Sequence, residues 1–174
     1  IVLKDLFRYK EHTLTENEEM IVSKLSKALT SSSDTYEKLT DSDMAFGIIK
    51  DEQNNDVELT SSNYSKYLKS KDRSVRKAAF DMTYETFSKY KNTIASTYIG
   101  DIEANASLAK IYKFSSALEA SLFNDDVNTK VYDKLIETVS NNLEPLYRYY
   151  EIKRKKLSLE QLHLYDTYVS IVNE

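Results

Sequence analysis

The stretch Arg73–Ala109, RSVRKAAFDMTYETFSKYKNTIASTYIGDIEANASLA, decides the fold. Phe80, Tyr84, Phe87, Tyr90, Ile94 and Tyr98 recur at steps of three or four, and Ile102, Ala106 and Ala109 continue the series. That is the period of one helical face, not the alternation of a strand. Asp72 stands where an N-cap belongs. One unbroken helix here spans ~50 Å at 1.5 Å per residue. Gly100 lies inside it and costs ~1 kcal/mol relative to alanine, so a bend or break is expected there.

Toward the N-terminus, FGIIKDEQNNDVELT (46–60) changes period. Phe46, Ile48 and Ile49 precede a polar Asp/Asn turn, and Val57 and Leu59 follow in alternation. This predicts a small β-hairpin with a loop longer than two residues, lying on helices because a lone hairpin is marginal. Thr60 or Ser61 caps the helix carrying Tyr64, Tyr67 and Leu68. Further back, Thr15 and Glu18 form a capping box before Met20, Ile21, Leu25 and Leu29. Ser33 or Asp34 is expected to cap a shorter helix, and Leu3, Leu6, Phe7 and Tyr9 give a first helical stripe.

Toward the C-terminus, Ser115 or Ser116 caps SALEASLF, and Asn128 or Thr129 caps a helix with Val131, Leu135, Ile136 and Val139. Pro145 starts or kinks the next helix, where Glu144–Arg148 and Glu151–Lys155 are favourable i,i+4 pairs. The expected fold class is all-α: an elongated multi-helix bundle with one long central helix and a hairpin near 46–59. Residues 1–174 read as a single helical segment.

Composition narrows the chemistry. Two glycines exclude a glycine-rich phosphate loop and a serine nucleophile elbow. The absence of cysteine excludes disulfides, thiolate zinc sites and cysteine nucleophiles, and fits a reducing, cytoplasmic setting. A net charge of −4 argues against nucleic acid as partner, and no apolar run reaches the ~18 residues of a membrane span. Both ends, IVLKDLFRYK and YVSIVNE, read as cuts through a longer protein.

Few residues are placed for catalysis. His12 and His163 lie near opposite ends of the chain, and neither begins a His-Glu-x-x-His motif. Glu160-x-x-His163 has di-iron spacing, but such a site needs a second copy and two further glutamates. The basic run Lys153–Lys156 after YRYY matches either a nucleic-acid surface or cations complementing a helix C-terminus, and the second fits the acidic chain better. In LHLYDTYV (162–169), His163 and Asp166 are spaced for an imidazole–carboxylate bond on one helical turn, which makes His163 structural. The functional alternative is a peptide-cleft wall carrying His163, Tyr165 and Asp166.

Six blocks carry a resemblance: HTLTENEEMIVSKLS, IKDEQNNDVELT, LKSKDRSVRKAAFDMTYETFSKYKNTIA, SALEASLF, VYDKLIETVSNNLEPLYRYYEIKRK and LHLYDTYV. In this order they resemble oligoendopeptidase F, of the thimet oligopeptidase family of zinc metallopeptidases. Leu164, Thr167 and Ser170 stand where that family usually has Met, Leu and Pro. The resemblance implies an all-α, bowl-shaped enzyme that cuts oligopeptides in a deep channel. It implies zinc ligands downstream of LHLYDTYV, so no catalytic or metal residue is carried onto this chain. The expectation is therefore a non-catalytic scaffold and channel wall, without a cofactor of its own. Its partner is the remainder of a parent that binds zinc and oligopeptides. A helical protein-interaction module without activity is the alternative.

Overall fold

The structure is a computed structural model that describes residues 2–172, with side chains from Leu6 onward. Ile1, the Leu3 side chain and the last two residues, which entered the readings of the first stripe and of both ends, lie outside the described part. In chain order come α1 (Val2–Lys10), α2 (Glu16–Leu29), α3 (Ser31–Lys38), a π-turn (Leu39–Asp43), β1 (Ile48–Lys50) and β2 (Asp56–Glu58). Then follow α4 (Ser61–Leu68), α5 (Arg73–Lys89), α6 (Lys91–Ile111), α7 (Ala117–Phe123), α8 (Thr129–Ser140), α9 (Glu144–Lys156) and a 3-10 turn (Leu164–Asp166). The fold is all-α with one small hairpin, as the sequence predicts. No helix of the described residues is long and apolar enough to cross a membrane.

The chain packs as two compact units, Ile1–Lys38 with Asn92–Val139, and Leu39–Lys91 with Ser140–Glu174. In the second, α5 is central and packs on α4, β1 and the 3-10 turn. Antiparallel β1 and β2 pair Ile49 with Val57, and Asp51 Oδ1 closes the turn by accepting from the Gln53 and Asn55 amides at 2.9 and 2.8 Å. Gly47 precedes the hairpin at φ +101°, a conformation that L side chains rarely adopt, so glycine is required there. Phe46, Ile49, Leu59, Leu68, Val75 and Ala79 are buried around α5. Each large apolar side chain removed from water contributes roughly 1.5–3 kcal/mol.

Four sequence expectations need correction. The long helix is two, because Tyr90 leaves the helical region (φ −103°, ψ 8°) and bonds back to the Phe87 carbonyl before α6 begins. Gly100 is not the break; α6 runs through it. A Cβ at Gly100 would sit 3.2 Å from Ser32 Cβ and closer to its hydroxyl, so the missing side chain lets α3 approach α6. There Ser33 Oγ donates to Asp101 Oδ1 at 2.7 Å, and because α3 begins at Ser31, Ser33 and Asp34 both lie inside it rather than capping it. Finally, the buried stripe of α5 is Val75, Ala79, Thr83 and Thr86, beside the aromatic one; Tyr84 is 52% exposed. Small side chains permit the close packing, and the rings occupy its margins.

With so few glycines, helix ends use other residues. Lys113, Asp126 and Ser158 adopt φ of 64°, 54° and 55°. The amides of Phe114, Val127 and Leu159 then reach back to the carbonyls of Ala109, Leu122 and Arg154. These are Schellman-type closures with a side chain in the left-handed position that glycine usually fills.

Candidate functional site

After Ser158 the chain doubles back from α9 and runs to the 3-10 turn with few backbone bonds of its own. Carbonyls left out of regular structure still need donors. Three cationic side chains supply them. Arg154 Nη1 donates to the carbonyls of Leu159 (2.8 Å) and Glu160 (3.3 Å). Arg73 Nη2 donates to that of Gln161 at 3.0 Å, and Lys153 Nζ to that of Thr167 at 2.6 Å. Two of the four cations in the basic run are thus turned onto their own chain.

Asp166 anchors the segment. Its carboxylate is fully buried and accepts from Arg76 Nη2 (2.7 Å), Arg73 Nη2 (3.0 Å), Arg73 Nε (3.2 Å) and the His163 amide (3.0 Å). Burial pushes this carboxyl up, and the bonds from Arg73, Arg76 and the amide outweigh it, holding it below the ordinary aspartate value. Arg76 Nη1 also ties down the Ser70 and Lys71 carbonyls, while its Nε is buried without a partner among the described residues. Burial first, and then the Arg76 charge, press Lys153 below its ordinary value against the pull of Asp166.

The three sequence candidates take different places. Asp166 is enclosed by its arginines. Tyr165 is buried, its ring edge-on to Phe80 at 5.8 Å with the Arg73 guanidinium 5.3 Å from its centroid. His163 is exposed, and its ring stacks on Tyr165 at 5.0 Å, only 5° from parallel. The expected imidazole–carboxylate bond is replaced by one from the His163 amide, because the arginines occupy the carboxylate. His163 lines a cleft of about 600 Å³ together with Tyr150, Arg154, Glu160 and Leu164.

Sequence reading missed Arg73 and Arg76, although a signal exists. The first turn of α5 carries both arginines and no acid, although the helix dipole favours anions there. Such a turn calls for a carboxylate from elsewhere in the chain.

In the first unit, His12 Nδ1 donates to the Tyr112 carbonyl at 2.8 Å. Its ring is stacked on Phe114 at 3.7 Å and meets Phe123 edge-on at 4.7 Å, beside a groove of about 910 Å³. The left-handed turn at Lys113 places Phe114 there. Among the described residues no three His, Asp or Glu side chains gather as a metal site.

Comparison with known proteins agrees with this fold. The profile of "Peptidase family M3" matches residues 66–174, and that of "Oligopeptidase F" matches residues 1–46. The chain is 37% identical over 172 residues to the oligopeptidase PepF of Bacillus subtilis, covering 99% of this chain and 26% of that protein. It is 37% identical to an oligoendopeptidase F homolog of Borreliella burgdorferi, with 98% and 28% covered. The crystal structure of oligoendopeptidase-F from Enterococcus faecium superposes with a TM-score of 0.95 at 34% identity, over 99% of this chain and 34% of that one. The chain thus spans about a quarter to a third of the length of these relatives. With more than half its residues matched by the family profile, the chain belongs to peptidase family M3.

Proposed function

We propose that this chain is a non-catalytic helical part of a zinc-dependent endopeptidase acting on oligopeptides. It serves as scaffold and as part of the channel wall. The observation that carries this reading is the Arg73–Arg76–Asp166 cluster, closed on a fully buried carboxylate, which fixes an irregular segment and leaves the His163 ring on the wall of a cleft. Tyr165 and Asp166 are positioning residues for that ring. A neutral imidazole can donate to or accept from a peptide backbone.

A zinc ion held elsewhere in the whole enzyme would supply Lewis-acid chemistry for peptide hydrolysis. The described residues of this chain do not fit such a centre. His12 and His163 lie in separate units, and His12 is engaged by a carbonyl and two phenyl rings. The metal ligands are assigned to the portion of the peptidase that this chain does not span. A cytoplasmic setting belongs to the same reading, supported by the cysteine-free sequence.

The test is His163→Ala in a full-length peptidase containing this chain. The expected result is a rise in KM of roughly 5- to 50-fold, with kcat within about threefold and zinc content unchanged. Unchanged KM, or loss of zinc, contradicts the proposed role.

A further inference from the structure

We propose that the apolar stripe of α8 is a docking face for the portion of an M3 peptidase polypeptide that this chain does not span. The proposal rests on the functional reading above only in taking the chain as a segment of such a peptidase.

Every residue from Lys130 to Asn142 is exposed. Within that run Val131, Leu135 and Val139, at i, i+4 and i+8, are 59%, 61% and 53% exposed, with Tyr132 and Ile136 beside them at 43% and 50%. The opposite face carries Lys130, Asp133, Lys134 and Glu137, where Lys134 Nζ meets Glu137 Oε2 at 2.9 Å. An amphipathic helix of this kind normally faces a core. Twelve residues are too few for a stable helix alone in water, so α8 needs a covering surface to hold its shape. The stripe is aliphatic and uncharged, so it fits neither an anionic ligand nor nucleic acid; it fits another apolar protein surface.

The length of the relatives argues for one occupant. They match this chain over 98–99% of its length, α8 included, yet the chain is only 26–34% of theirs. In such a protein the remaining polypeptide is three quarters to two thirds of the molecule, always present at high effective concentration. A second copy of this chain has no comparable support.

The experiment is amide hydrogen exchange on this chain alone and co-expressed with the part of the Bacillus subtilis relative outside the matched region. Exchange of the α8 amides is expected to slow by at least about 100-fold on association. Leu135→Glu is expected to weaken association at least about tenfold while leaving the far-ultraviolet dichroism of the isolated chain unchanged, because the side chain stands in water. Val139→Ser is the milder second variant and is expected to shift affinity in the same direction.

Co-purification without slowed α8 exchange, equal binding by the variants, or failure of the two parts to associate overturns the proposal. So does dimerisation of the chain alone that Leu135→Glu abolishes, since α8 then serves a second copy. Association through α8 without peptide hydrolysis leaves the docking face standing and counts against the proposed function instead.

Discussion

Arg76 Nη2 lies 2.7 Å from Asp166 Oδ1, with the arginine side chain 3% exposed and the carboxylate fully enclosed. The pair joins the first turn of α5 to a segment ninety residues later, and Arg73 braces it at 3.0 Å from the other carboxylate oxygen. A lone carboxylate or guanidinium in that place would be costly, so each makes the other tolerable.

Asp166→Asn is accordingly expected to destabilise the fold by about 3 kcal/mol, since it leaves a buried arginine without its anion. Urea unfolding of the variant against the parent chain measures this. A loss below about 1 kcal/mol would place the pair with surface ion pairs and contradict its buried role.

The same carboxylate sets a dependence on acid. Its folded pKa is depressed, so its stabilisation is fully present above the unfolded aspartate value of about 3.9 and is lost as pH falls through the folded value. Below about pH 4 the amides of His163 and Thr167 are expected to lose exchange protection. This transition is absent from Asp166→Asn, and its persistence there would contradict the assignment.

The ends of α6 and α9 carry removable strain. Lys113→Gly and Ser158→Gly place glycine at φ values of 64° and 55°. Each is expected to stabilise by about 1 kcal/mol, because the left-handed region disfavours side chains by roughly that amount. Thermal unfolding of the single variants and of the double checks it; a lowered Tm for Ser158→Gly, whose side chain makes no other contribution to this account, contradicts it.

Much of this was legible in the chain. Capping residues Thr15, Thr60, Asp72, Ser116 and Asn128 each accept from their own helix's first turn, because capping is local chemistry that a few adjacent residues determine. The hairpin was legible for the same reason. Tertiary partners were not. Gly100 reads as a weak point until Ser32 is found against it, and Tyr90, which breaks the helix, carries no breaker signature. His163 and Asp166 looked like a pair because spacing says nothing of two arginines arriving from α5.

Gly100→Ala separates those readings. In an open helix alanine would gain about 1 kcal/mol; here it is expected to lose stability, because Ser32 stands in the way. Ser32→Gly in the same chain is expected to reverse the sign of the Gly100→Ala effect, a coupling that a double-mutant cycle reads directly. Additive effects would show that α3 and α6 do not meet there.

The most direct test of the central claim, that this segment is architecture around a catalytic centre it does not hold, is zinc stoichiometry measured together with cleavage of a quenched oligopeptide. The isolated chain is expected to hold no stoichiometric zinc and to cleave nothing, and a full-length peptidase containing it to do both. Chelator-sensitive turnover by the isolated chain, tracking one bound zinc per molecule, would contradict the account.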